Sequence, residues 1–204
     1  MIVFVLAADE NFGIGKGDEL PWSFKKDMQF FKALTMGYHV AFGRKTWEAI
    51  KEPSKGLLGR RKIVIGKTDQ PSEYDQFESI DQTLYFESTK ELIQRSADGE
   101  VIMIAGGKQL YESLYAHVDF AVVTQVHQKF DCNVFIDSSI QKVLPQRMIS
   151  YKIKDVDRNT QNAVNITFTI YGRENYLQTP PSLISSWRHA IESIKTWFDP
   201  RDES

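Results

Sequence analysis

Cysteine is almost absent: Cys132 is the only one in 204 residues. A lone thiol excludes an intrachain disulfide, and with His39, His117, His127 and His189 scattered along the chain it supplies no cluster of zinc ligands. A reducing, cytoplasmic setting and no metal are therefore expected. Long apolar runs are missing too. The opening IVFVLAA lacks a basic leader and falls far short of the ~20 residues that a membrane span needs, so it predicts a buried strand. Neither sign of charge dominates: the formal net charge is −2 and the pI is near 6.1. Bulk attraction to nucleic acid or an anionic membrane is excluded, although the clusters Lys25-Lys26, Arg44-Lys45 and Arg60-Arg61-Lys62 could hold a small anion. Internal repeats and low-complexity tracts are lacking as well. The ligand to expect is a small molecule.

What is present is an α/β pattern. At 42% hydrophobic and 25% charged, the chain can fill one core and carry an appendage. Strands are expected over Ile2 to Ala8, His39 to Phe42, Lys62 to Ile65, Thr83 to Phe86, Val101 to Ile104, Phe120 to His127, Met148 to Lys154 and Ala163 to Gly172. Helices are expected over Lys25 to Thr35, Lys45 to Lys51, Ser88 to Ala97 and Lys108 to Tyr115. Alternation of the two predicts a central, mostly parallel twisted sheet flanked by helices, and the turn-rich DRNTQN between the last two strands predicts an antiparallel finish. The polar stretch Asp69 to Asp81 reads as a surface connection. Residues 1–173 form one expected domain and 174–204 an extension. After Pro180-Pro181, with Ser182 as a candidate cap, Leu183, Ile184, Trp187, Ala190, Ile191, Ile194 and Phe198 recur at helical spacing. Such a stripe must be buried, either on its own domain or, through residues 182–198, against a second copy or another protein.

Four features carry chemistry. Asp27 follows a glycine-rich loop and shares a helical face with Phe24, Phe30, Phe31 and Leu34, so its carboxylate is expected in an apolar wall with a raised pKa. Gly13-Ile14-Gly15-Lys16-Gly17, before Leu20-Pro21-Trp22, allows a loop to approach a ligand closely. Gly43-Arg44-Lys45-Thr46-Trp47, at a strand end, offers backbone N–H groups and cations to a phosphate. So does Ala105-Gly106-Gly107-Lys108-Gln109 after the strand Val101 to Ile104. Two strand-to-helix phosphate sites in one sheet favour a dinucleotide over a sugar phosphate. Solvated charge on exposed helix starts is the plain alternative for Arg44 and Lys45.

LPWSFKKDMQFFK, GRKTWEAI, LLGRRKIVI, IMIAGGKQLYE and VVTQVHQKFD occur in that order between Ile2 and about Tyr171, and together they resemble dihydrofolate reductase. The resemblance implies reduction of 7,8-dihydrofolate to tetrahydrofolate by NADPH, in support of one-carbon and thymidylate metabolism. It implies that Asp27 binds the 2-amino and N3 edge of the pterin and promotes protonation at N5. Thr124 would hydrogen-bond Asp27 and the pterin amino group, and Trp22 would hold an ordered water nearby. Phe31, Ile50 and Leu57 would line the pterin and aminobenzoyl pocket, with the backbone of Val5, Leu6 and Ala105 at polar pterin edges. Arg60 would pair with the α-carboxylate of the substrate, with Arg61 as competitor. Ala7, Ile14, Gly15, Thr46 and Tyr111 would surround the nicotinamide half, Tyr111 also bordering the substrate. Gly106, Gly107, Lys108, Gln109 and Leu110 would hold the diphosphate. Arg44, assisted by Lys67, would face the adenosine 2′-phosphate, and these two cations favour NADPH over NADH, with Gly43, Lys45 and Gly66 also at the cofactor.

This chain also departs from the family pattern. Asn133 and Val134 stand where many relatives carry Asp-Thr, and Asp137 replaces a common proline. A neutral Asn133 could keep some hydrogen bonds to the glycine-rich loop while losing the charged acceptor, which leaves the closure of that loop open. The connection Lys51 to Leu58 is longer than in compact relatives, and the segment after Gly172 has no counterpart in minimal members. Two other functions compete with folate reduction: a reductase acting on another pterin or pyrimidine, and a noncatalytic nucleotide-binding or assembly component. Asp27 after LPW opposes the first, and the retention of Trp22, Arg60 and Thr124 opposes the second.

Overall fold

Burial of the first strand on both faces sets the architecture. The computed structural model describes residues 1–50, 56–67, 77–137, 139–174 and 180–196. In it β1 (Ile2–Ala8) sends Ile2, Phe4, Leu6 and Ala8 into one apolar cluster and Val3 and Val5 into another. A strand apolar at consecutive positions is stable only when both faces are covered. β3 (His39–Gly43), β4 (Arg61–Ile65), β5 (Thr83–Phe86), β6 (Ile102–Ile104) and β7 (Phe120–Val126) all run parallel to it. β9 (Gln146–Val156) and β10 (Ala163–Gly172) close the sheet as an antiparallel pair beside β7. The strand order is β5-β4-β3-β6-β1-β7-β10-β9. The expected parallel sheet with an antiparallel finish is thus the observed one.

Two short strands were not foreseen. β2 (Gly13–Gly15) and β8 (Val134–Phe135) pair antiparallel outside the main sheet, tying the glycine loop to the segment after Cys132. Three residues and two are too few for a period-two pattern to register.

α1 (Lys25–Thr35) covers one face of the sheet. Phe30 stacks on Phe168 of β10 with ring centroids 4.2 Å apart. α2 (Arg44–Ala49) follows β3 directly, ending before the expected Lys51. α3 (Lys90–Ala97), α4 (Lys108–Leu114) and α5 (Ser139–Val143) lie on the opposite face, placing Leu92, Leu110, Leu114 and Ile140 in its cluster. The outer end of the expected second helix at Lys51, residues 69–76 of the polar connection, Leu177 to Thr179 and Phe198 lie outside the described residues.

α6 (Pro181–Lys195) packs its apolar side on the chain's own domain. Leu183, Trp187, Ala190, Ile191 and Ile194 are buried in the cluster that holds Phe30 and Leu34 of α1 and Ile170 of β10. Arg188, His189 and Glu192 face solvent. The apolar side chains that a surface for self-association would need are therefore covered by the chain's own domain. A hydroxyl pair adds to the seam, Tyr38 Oη lying 2.7 Å from Ser186 Oγ. Ser182 is not the cap: the helix starts at Pro181, and no side chain caps it. Proline at the first helical position has no N–H to satisfy, and its fixed φ suits the start. Among the described residues no helix is long and apolar enough to cross a membrane.

Truncating Trp187 to alanine removes a buried indole from the α1–α6 seam, and a loss of ~3 to 5 kcal/mol is expected from chemical denaturation. An unchanged midpoint would mean that α6 does not belong to the cooperative fold.

Candidate active site

In a parallel sheet the C-terminal strand ends share one edge, and a crevice forms where connections leave to opposite faces. Here β1 leads into the glycine loop, β3 into α2 and β6 into α4, and between them opens a cleft of about 1160 Å³. That exceeds the usual range for a single small ligand, ~300 to 1,000 Å³. Its lining contains every expected site residue except Trp22.

Asp27 lies in the first turn of α1 and is 8% exposed. Burial, the largest influence, drives its pKa up; a hydrogen bond from Thr124 lowers it and the charge of Asp155 raises it, leaving it at about 6. Thr124 reaches this point because β7 pairs with β1 in the register Ala7↔Thr124, while β10 sets Phe168 on its other side. Among the described cleft residues Asp27 is the one buried acid; Asp18 and Glu19, on the glycine loop, are exposed. Val5 and Leu6 form the floor, where the Val5 carbonyl accepts a hydrogen bond from Tyr111 Oη at 2.8 Å. Burial pushes the Tyr111 phenol well above its usual value, so it stays a neutral donor. Phe31, Ile50, Leu57 and Ala105 supply apolar wall, packed around Val40 and Phe42.

The two candidate arginines are placed differently. Arg60 lines the cleft and is 1% exposed, whereas Arg61, the first residue of β4, is absent from the lining. Arg60 Nη1 donates to the Gly56 carbonyl at 3.3 Å, while its buried Nε has no hydrogen-bond partner among the described residues. A buried guanidinium N–H without an acceptor is a place for an oxygen anion. Behind it sit Lys62, which is 3% exposed and donates Nζ to the Arg60 carbonyl at 3.1 Å, and Asp81, 3.8 Å from that ammonium. Asp81 also accepts the Gly59 N–H at 2.7 Å. Burial pulls the Arg60 guanidinium down and Asp81 pushes it back up. Lys62 belongs to the basic cluster visible in the sequence, whereas Asp81 was not foreseen, because it comes from a distant connection.

The other half of the cleft is built from turns. Gly43 N–H donates to the Gly106 carbonyl at 2.7 Å, locking the end of β3 to the turn after β6. Gly106 has φ of +124°, and a Cβ there would lie 3.0 Å from Thr46 Cγ2; at Gly107 one would lie 2.6 Å from Thr46 Oγ1. Only glycines let these two turns interlock, leaving backbone N–H groups open to a ligand. Arg44, Lys45 and Lys67 are exposed at the rim, with Gly66, Lys108, Gln109 and Leu110 alongside and Ala7, Ile14, Gly15 and Tyr111 toward the centre. A groove with glycine turns and cationic ends suits a dinucleotide carrying several phosphates.

The glycine loop keeps hydrogen bonds to Asn133. Gly17 N–H donates to Asn133 Oδ1 at 2.8 Å, Asn133 N–H donates to the Gly15 carbonyl at 3.0 Å, and Lys16 pairs with Asp131. The amide oxygen replaces the carboxylate as acceptor, and the charge is supplied two residues earlier. At the loop base the buried Asp9 accepts N–H groups from Asn11, Gly13 and Phe130 at 2.8 to 2.9 Å.

Trp22 is the exception. It is 3% exposed and packs on Phe130 with centroids 5.1 Å apart, behind the wall instead of in it. Its Nε1 is buried with no partner among the described residues, an arrangement suited to one bound water. The lining adds residues that sequence spacing did not single out, among them Leu20, Met28 and Arg158. Met28, 59% exposed on an amphipathic helix, was the one with a visible signal. No group of His, Cys, Asp or Glu among the described residues could hold a metal.

Raising the Asp27 pKa from the ordinary 3.8 to about 6 means that the ionised carboxylate opposes folding. The opposition is absent below the lower value and complete above the higher one. Asp27→Asn is therefore expected to stabilise the protein at mildly alkaline pH by up to ~3 kcal/mol, a gain that fades toward pH 4. Thermal melts across that range check it; a gain independent of pH would contradict the assignment.

The family model described as dihydrofolate reductase matches residues 1–173. A dihydrofolate reductase from Schistosoma mansoni is 32% identical over 183 residues, spanning 82% of this chain and 93% of that protein. The type 9 enzyme of Escherichia coli is 30% identical over 186 residues, spanning 87% and 96%. Among solved structures, the dihydrofolate reductase of Enterococcus faecalis, complexed with NADP(H) and RAB-propyl, superposes with a TM-score of 0.64 at 26% identity. That match covers 86% of this chain and 97% of the other.

Proposed function

The chain belongs to the dihydrofolate reductase family and reduces 7,8-dihydrofolate to 5,6,7,8-tetrahydrofolate with NADPH; we propose that Asp27 is the acid on which the reaction turns. The observation that carries this is a single buried carboxyl, hydrogen-bonded to Thr124, in the cleft wall. With its pKa at about 6, Asp27 is roughly nine-tenths ionised at pH 7 yet keeps a protonated fraction, so it can meet the pterin as carboxylate or as acid. Its two oxygens match the adjacent 2-amino and N3 hydrogens of the pterin, and that pairing favours protonation at N5. A protonated N5 draws electron density from the neighbouring carbon, which then accepts hydride more readily.

Thr124 orients the acid from β7. Phe31, Ile50 and Leu57 sandwich the flat ring and the aromatic linker, excluding water from the reacting face. Arg60 takes the tail carboxylate, satisfying the Nε that the described residues leave unpaired. NADPH, when bound, supplies the hydride. Ala7, Ile14, Gly15 and Tyr111 would border its reacting ring, Gly106, Gly107, Lys108 and Gln109 its diphosphate, and Arg44 with Lys67 its extra phosphate. The glycine loop, clasped through Asn133, shields that junction. We place the reaction in the cytoplasm, where a lone Cys132 thiol stays reduced. Neither nucleic acid nor a membrane is assigned as partner, and the apolar side of α6 is given none.

Loss of NADPH absorbance on adding dihydrofolate tests the reading; an inactive intact chain overturns it. Asp27→Asn should cost at least ~100-fold in turnover at neutral pH, a deficit that narrows as the medium is acidified, because solvent protons then reach N5. For Arg60→Lys, the KM for dihydrofolate should rise ~10-fold or more with kcat little changed, since a point charge cannot form the forked pair. Steady-state kinetics showing the loss in kcat alone would move Arg60 out of ground-state binding.

A further inference from the structure

The helix that carries Asp27 begins without a cap of its own. Its N-cap residue is Phe24, whose side chain has no polar atom, so the first N–H groups of α1 need partners from elsewhere. They come from the far end of β9. Asp155 Oδ2 accepts the Lys26 N–H at 2.9 Å across 129 positions of sequence, and Oδ1 accepts the Val156 N–H at 2.9 Å. Two residues on, Asp157 Oδ1 accepts the Ser23 N–H at 2.8 Å, and Arg158 N–H donates back to the Ser23 carbonyl at 2.9 Å. Both aspartates are buried, at 7% and 0% exposure. The hairpin end thus grips the start of α1 with two carboxylates, of which Asp155 holds the residue directly before Asp27.

We propose that Asp155 is a positioning residue for Asp27: it caps the turn that carries the acid and sets a second negative charge beside it. The proposal rests on the reading of Asp27 as the pterin acid. A helix N-terminus by itself favours a carboxylate in its charged form. A second carboxylate on the same turn opposes that tendency, and the charge of Asp155 acts on Asp27 in this upward direction. Around Asp27 the facing groups are the Thr124 hydroxyl from β7 and Asp155 from β9, with Lys25 and Lys26 adjacent on α1. Arg158 from the β9–β10 turn, Asp18 and Glu19 from the glycine loop and Arg60 share the cleft. Asp157, equally close in sequence, points its oxygens at Ser23, Asn159 and Thr160.

The test is a carbon-13 NMR titration of the Asp27 carboxyl in the full, ligand-free chain, its signal assigned by loss in Asp27→Asn. Asp155→Asn and Asp155→Ser each remove the charge while keeping an oxygen for the Lys26 N–H. Either should move the Asp27 titration to lower pH by several tenths of a unit, with Asp157→Asn leaving it in place. The descending limb of the pH–rate profile should move by the same amount and in the same direction. An unmoved titration in whichever Asp155 variant folds overturns the proposal, as does an equal displacement in Asp157→Asn. A displaced titration with an unmoved rate profile upholds the positioning role and instead overturns Asp27 as the acid of the reaction.

Discussion

A sheet of parallel strands must be covered on both faces, and in this chain that requirement organises everything else. β1 is apolar at every position, so helices occupy both sides of it, and each crossover returns the chain to begin the next strand at the same end. The opposite ends of β1, β3 and β6 then meet at one edge. The cleft is the gap left where their connections depart to different faces. Its two kinds of lining follow from the same geometry: strand and α1 side chains on one half, bare turn backbone on the other.

Within that cleft the electrostatics are arranged by depth. Asp27 is buried with one hydroxyl to support it and Asp155 close by, so its charge is held weakly. Arg60 is buried with one carbonyl for a partner and an N–H left over, so its charge is open to an anion. The cations of the other half, Arg44, Lys45 and Lys67, stay exposed at the rim, where they attract phosphate without any cost of burial. An apolar ring with an amide-like edge, a carboxylate tail and several phosphates each find a different environment in one continuous space.

Much of this was legible in the chain. Apolar runs located the six parallel strands, and the strand-end glycines located the turns that line the cleft, because both signals are local and repeat at fixed spacing. Asp27 stood out because a carboxylate on an apolar helical face is costly to bury unless something pairs with it. Trp22 could not be placed from its sequence neighbourhood alone: Phe130, more than a hundred residues later, packs on its ring behind the cleft wall. Ser182 looked like a cap until Pro181 took the first helical position. The β2–β8 ribbon, too short for any periodic signal, supplied the loop clasp that substitution at Asn133 had put in question.

The sequence by itself determined the α/β class, the order of strands and helices, the family and the motifs that line much of the cleft, since these depend on local periodicity and on a few contiguous residues. Only the tertiary structure decided that Arg60 and not Arg61 faces the cleft, that α6 spends its apolar side on α1, and that Asp155 and Asp81 stand behind Asp27 and Arg60. Those are contacts across long separations, with no periodicity to announce them, and they exist because packing the sheet brings distant connections to one edge.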